Sequence, residues 1–382
     1  MDPTTNAPAN GASSQPSAAS PSYLNGAHQH DDPDASTISA LSHGSARSPL
    51  ENNKAKLPWS QQVWERIDKA VELEFKRTCI AAQFLPKISV PPDTITIPTD
   101  SYAATVGPKP VLTADARATI CINEYYVEFE LTPQQVDQEE GSSKQLGHST
   151  AVTLAAKAAN LLAQAEDLIV FQGVNAIHCS HPFTSSLVLH EGSPADTGLL
   201  NQPLYTTAGV SPTGAGPLSP QIIVIQVPRL SPPVPGVLYG PNTFEAVSKA
   251  YSLLQTIGHH GPYALAVQTT PYADTYAPLP SASTLTASRI NPLATAGFFG
   301  AAALPPNPSP PPAPPALPIP PGPPFFGVFV SLGGYAVDLV TSLDPVVAFI
   351  QQDSSGNFRF RVLERFALRI KDTTAIVVFK FE

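Results

Sequence analysis

A chain of 382 residues has room for about two domains at roughly 100 to 200 residues each, but its 44 prolines and 13% charged residues describe long uncharged, proline-broken stretches between a few periodic segments. A formal net charge of -9 excludes the clustered Lys/Arg that phosphate-backbone binding needs, so nucleic acid is not an expected partner. The N-terminus has neither the basic start nor the apolar run of a secretory signal, and no stretch offers about 18 uninterrupted apolar residues, which predicts a cytosolic chain with no membrane partner.

Residues 1–56 are rich in Ser, Ala, Pro, Asn, Asp and Gly and predict a disordered tail, because they offer too little apolar surface to offset the entropy of ordering. Order begins at Trp59. Trp64, Ile67, Val71, Phe75, Cys79 and Ala82 recur at three and four residue spacing with charges between them, the signature of an amphipathic helix, and Ser60 stands where an N-cap belongs. From 87 to 118 the chain reads as extended segments punctuated by proline, with TITIP alternating like a half-buried strand. TICINEYYVEFEL (119–131) is a stronger strand, and Pro133 opens a helix.

Leu154, Ala158, Leu161, Leu162, Ala165, Leu168 and Ile169 define a helix over 150–172, about 33 Å long and closed by Gly173. The segment from 174 to 241 reads as irregular apart from the strand IIVIQV. A helix at 243–257 ends at Gly258 and precedes the buried strand GPYALAVQT. LPPNPSPPPAPPALPIPPGPP (304–324) enforces polyproline II, about 65 Å if fully extended. The C-terminus predicts a hairpin with an SSGN turn and a last strand AIVVFKF.

Candidate chemistry is sparse. Glu166 and Asp167 are adjacent, so on a helix they point about 100° apart and do not converge on one substrate; they predict a solvated or salt-bridged face. Cys79, Cys121 and Cys179 are an odd count at wide spacing, which predicts reduced thiols. His178, Cys179 and His181, with His190 beyond, match no zinc spacing, and the HQHDD run at 28–32 lies in the tail; no metal site is expected. His259 and His260 between two glycines predict an exposed turn with titratable tips. The polyproline run lacks flanking Arg or Lys and reads as a spacer ahead of an SH3-type or WW-type ligand. Neither G-x-S-x-G, G-x-x-x-x-G-K-[ST] nor H-E-x-x-H occurs.

Taken in order, VWERID with FKRT in the first helix, AQAEDLIVFQG, GPYAL, SLGG and the closing RVLERFALRIKDTTAIVVFKF resemble the landmarks of the encapsulin (linocin-type bacteriocin) shell proteins over roughly residues 57–382. The resemblance implies an α+β chain with the tailed-phage major-capsid fold of the Hong Kong 97 type. It implies an N-terminal helix at 57–86, an extended loop at 87–118, a peripheral domain from 119–174 and 325–382 with a spine helix, and a mainly axial domain at 175–303. The tail, the irregular segment between 177 and 241 and the polyproline insertion at 304–324 depart from the compact family pattern, and a GQDLSIGY-like strand survives only loosely as TSLDPVVAF.

The same resemblance implies a non-enzymatic subunit that assembles with itself into an icosahedral compartment. It would enclose a cargo enzyme, peroxidase or ferritin-like, held by a C-terminal targeting peptide in a groove lined by Trp64, Ile67, Val71, Phe75 and Phe84. Ile257, Gly258, His259 and His260 fall where the family's five-fold pore loop lies. Gln134 in LTPQQVD stands where some members carry a flavin-stacking aromatic, so no flavin or other cofactor is expected. The alternatives are a prophage major capsid protein with the same fold, or a soluble metal-binding enzyme built on the His/Cys loop.

Overall fold

The structure, a computed structural model, describes residues 54, 56–104, 112–115, 117–141, 149–179, 187–193, 197–200, 205–207, 222–234, 236–278, 283–305 and 325–382. The HQHDD run, nearly all of the expected tail, His181 and residues 306–324 of the polyproline run lie outside them. Helix α1 (Gln61–Thr78) buries Val63, Trp64, Ile67, Val71 and Phe75, as the spacing requires, and its short successor α2 (Ala81–Phe84) leads into β1 (Lys87–Ser89). The proline-punctuated stretch forms two small antiparallel ladders: β2 (Thr96–Pro98) pairs with β5 (Thr119–Cys121), and β3 (Ser101–Ala104) pairs with β4 (Leu112–Asp115). Then come β6 (Asn123–Leu131), α3 (Pro133–Gly141) and α4 (Thr150–Gln172).

Two devices start and stop α4. Ser149 accepts a hydrogen bond from the Val152 N–H, and Glu139, buried at the end of α3, accepts from Ser149 Oγ, the Ala151 N–H and Arg66. A carboxylate there complements the positive end of the helix dipole. Gly173 closes the helix at φ 86. Between Leu161 and Phe171 every residue except Gln164 is buried, so this helix is covered all round by α1 on one side and β6 and β14 on the other.

The chain continues through α5 (Ala176–Cys179), β7 (Val188–Glu191), β8 (Tyr205–Thr207), β9 (Ile222–Val227), α6 (Pro241–Thr256), β10 (Tyr263–Val267), α7 (Thr269–Asp274), α8 (Thr286–Ile290) and β11 (Gly297–Gly300). It ends in β12 (Phe325–Ser331), β13 (Val337–Gln352), β14 (Phe358–Ile370) and β15 (Ile376–Phe381). The expected SSGN turn joins β13 to β14: Asp353 accepts from the Ser355 and Asn357 N–H groups, and Gly356 takes φ 86. Pro345 sits inside β13 at a register shift, where the ladder tolerates a missing donor.

Two sheets organise these strands. One has the order β1-β13-β14-β6-β7, with α1 and α4 on its inner face; the other has the order β11-β10-β12-β15-β9-β8. Grouping all of 325–382 with 119–174 therefore fails for two strands. β12 and β15 join β9–β11, because Ile376, Val377, Val378 and Phe379 are buried on both faces and only a central position covers such a strand.

Candidate functional site

Four places bear on function: the face of α1, the extended arm, the loop before β10, and a cluster of buried acids. On α1 the expected groove residues Trp64, Ile67, Val71 and Phe75 all point into the main core, joined there by Phe84 of α2. Trp64 meets Trp59 edge-on at 5.0 Å, and Phe84 stacks on Phe299 at 5.6 Å. Helical spacing cannot separate a core stripe from a groove lining, and in this chain all five are core. The large apolar side chain that α1 exposes is Leu73, at 59%.

The arm from β2 to β5 is anchored at one end and uncovered at the other. Ile97, Ile120 and Ile122 pack on Val340 and Ala367 of the five-stranded sheet. Fully buried Asp338 receives both arms of the Arg369 guanidinium, at 2.9 and 3.0 Å, and Lys371 at 2.7 Å. Arg369 also reaches Asp100 at 2.8 Å, where the chain turns into β3 with φ 50, and Tyr102 donates its hydroxyl to the Gly334 carbonyl. Beyond this root, Ile95 is 74% and Leu112 77% exposed.

Loop 257–261 is closely held. Its cleft, about 330 Å³, is lined by Tyr102, His259, His260, Gly333, Gly334 and Asp372 among others. His259 is half-buried, 2.7 Å from Thr374 Oγ1 and 3.5 Å from Asp372. Of its two histidines only His260 is exposed, beside Ile257, Gly258 and Gly261, which corrects the expectation of two free histidine tips. Gly333 of the SLGG stretch is required by this packing: a Cβ there would lie 2.2 Å from the His260 carbonyl oxygen.

Glu166 and Asp167 are buried, not solvated. Asp167 accepts from the N–H groups of Ile80 and Ala81, at 2.7 to 3.0 Å, and from the Cys79 thiol at 3.4 Å, so it pins the bend between α1 and α2. Burial outweighs those bonds and pushes its carboxyl up to about 6. Glu166 lies against Glu364 of β14; burial and the neighbouring Asp167 charge push the Glu166 carboxyl up to about 7, and burial and the Glu166 charge raise that of Glu364 well above its ordinary value. Burial also pushes the Cys79 thiol well up, which suits an inert structural thiol. Glu139, Asp338 and Glu364 carry no local sequence signal, because the groups that face them come from other elements of the fold. Of the metal candidates, His190 stacks on Tyr125, the side chains of His178 and Cys179 are outside the described set, and no metal-ligating cluster occurs among the described residues.

The family model described as an encapsulating protein for peroxidase matches residues 51–180. The type 1 encapsulin shell protein EncA of Myxococcus xanthus (strain DK1622) is 25% identical over 333 residues, 84% of this chain and 93% of its own length. The virus-like particle of Pyrococcus furiosus superposes with a TM-score of 0.54 at 13% identity, covering 83% of this chain and 98% of the other. The class is thus the α+β capsid fold of the Hong Kong 97 type. Within that class its sequence is similar to encapsulin shell proteins, over residues 51–180 in the family model and over 333 residues in EncA.

Proposed function

We propose that this chain is the subunit of a self-assembling icosahedral nanocompartment in the cytoplasm, that it performs containment and no catalysis, and that it encloses a cargo enzyme. The observation that carries the reading is the arm. A two-stranded ladder is marginally stable alone, and here the β3–β4 ladder presents Leu112 to solvent while Ile95 is exposed just before β2, so the arm needs a surface to lie on. A second copy of the chain supplies that surface, and repetition of such a head-to-tail contact around closing axes builds a shell. Among the described residues no helix is long and apolar enough to cross a membrane. Size-exclusion chromatography with negative-stain microscopy on the protein expressed alone tests this: hollow particles of uniform diameter are expected, and a monomer peak would oppose it.

The cargo reading, a peroxidase or a ferritin-like iron protein docked by a C-terminal peptide, draws support from the matching family, described as an encapsulating protein for peroxidase, and from the similarity to EncA, a shell protein. The peptide's site would lie on the surface around α1, since the five residues first expected to line it are core. A fluorescent protein carrying a neighbouring enzyme's C-terminal peptide should co-purify with the particles, and its loss on removal of the peptide completes the test. We assign loop 257–261 to a pore at the five-fold axis, with His260 as its exposed polar side chain. Replacing His260 with a bulky Trp should slow entry of small ions into the particles; unchanged entry would remove the assignment.

A further inference from the structure

Glu166 stands on α4 and Glu364 on β14, where the helix packs against the five-stranded sheet, and the two carboxyls are near enough for each to act on the other's protonation. Each is 2% exposed, and in each the Oε1 oxygen lacks a hydrogen-bond donor. Two carboxylates have no donor to offer one another, and like charges at such a site cannot both persist; one proton between them supplies the missing donor and removes one charge. The surrounding groups do not replace that proton. Asp167 on the same helix is a further acid, engaged by the Ile80 and Ala81 N–H groups; the neutral Cys79 thiol bonds Asp167 and also reaches Glu166, yet leaves Oε1 of Glu166 and of Glu364 without a partner; Lys87 of β1, the cation whose field reaches the pair, is ion-paired with Asp344 of β13.

We propose that Glu166 and Glu364 share a proton in the folded chain, and that its loss at alkaline pH loosens residues 79–88, the junction from which the extended arm grows. Geometry places the pair beneath that junction: Asp167, the neighbour of Glu166, holds its first residues, and Lys87, facing the pair, belongs to its last strand. Burial, with the Asp167 charge acting on Glu166 and the Glu166 charge on Glu364, holds both carboxyls above the ordinary 4.5, so between that pH and the folded-state values the folded chain binds more protons than the unfolded one. Stability from this source is therefore full below the unfolded value and declines as pH rises, the unfolding constant growing by about tenfold per pH unit for each proton retained.

The test is thermal and denaturant unfolding of the full chain from about pH 5 to about pH 9, for wild type, E166Q and E364Q, with infrared detection of the carbonyl stretch of a protonated carboxylic acid. An amide at either position provides a permanent donor. The wild type should lose stability with rising pH relative to both variants, show a protonated-acid band at neutral pH that E364Q lacks, and show protection factors against amide exchange that fall in residues 79–88 as pH rises, more than in either variant. Parallel pH slopes in wild type and variants would overturn the proposal. If either variant fails to fold, the infrared band decides on wild type alone, and its absence at neutral pH would equally overturn it.

Discussion

Asp167 shows how much one side chain can hold. Its carboxylate is the acceptor for two backbone N–H groups at the bend after α1, and Asp167→Ala would leave those groups buried without a partner. The expected loss is about 1–3 kcal/mol, read as a lowered denaturant midpoint with an unchanged slope. The acidic pair was visible in the sequence, and so was its place near the end of a helix closed by Gly173. Its burial was not, because the groups that cover it come from residues 79–81 and from Glu364, and periodicity within one helix carries no information about either.

At the scale of an element, α1 separates two roles that sequence spacing confounds. Phe75 is 6% exposed and belongs to the main core, so Phe75→Ala should cost about 3–5 kcal/mol of folding stability. A variant that keeps its stability but fails to retain cargo would return Phe75 to a groove. The arm gives a second test. Arg369 is the common partner of Asp338 and Asp100, and Arg369→Ala leaves Lys371 alone against a fully buried carboxylate while freeing the turn at Asp100. Destabilisation of about 3–5 kcal/mol is expected, with faster limited proteolysis in residues 99–115 than elsewhere. The arm's extended character followed from its prolines and the TITIP alternation. Its root did not, since Asp100 and Arg369 stand 269 residues apart.

For the whole molecule, assembly depends on surface that the single chain leaves uncovered. Ile95 and Leu112 are exposed, so changing both to Asp should leave the stability of the isolated chain within about 0.5 kcal/mol of wild type. The same pair should shift the protein from large particles to monomers or small oligomers in size-exclusion chromatography, because charge would then be buried at the contact the arm makes with a second copy. Intact particles from that variant would mean that the arm contributes little to the contact.

Local pattern determined much of this protein: α1 and α4 from their apolar spacing, the closing hairpin from its SSGN turn, and the order of landmarks that resembles an encapsulin shell protein. These features depend on residues a few positions apart, which is the range over which propensity, capping and turn chemistry act. Tertiary structure alone decided the rest. It divided 325–382 between two sheets, because β15 needs cover on both faces; it tied His259 to Thr374 and left His260 free; and it brought Glu166 against Glu364. In each case the deciding partner is remote in sequence, and burial, which sets whether a carboxylate is solvated, ion-paired or protonated, exists only once those remote elements have packed.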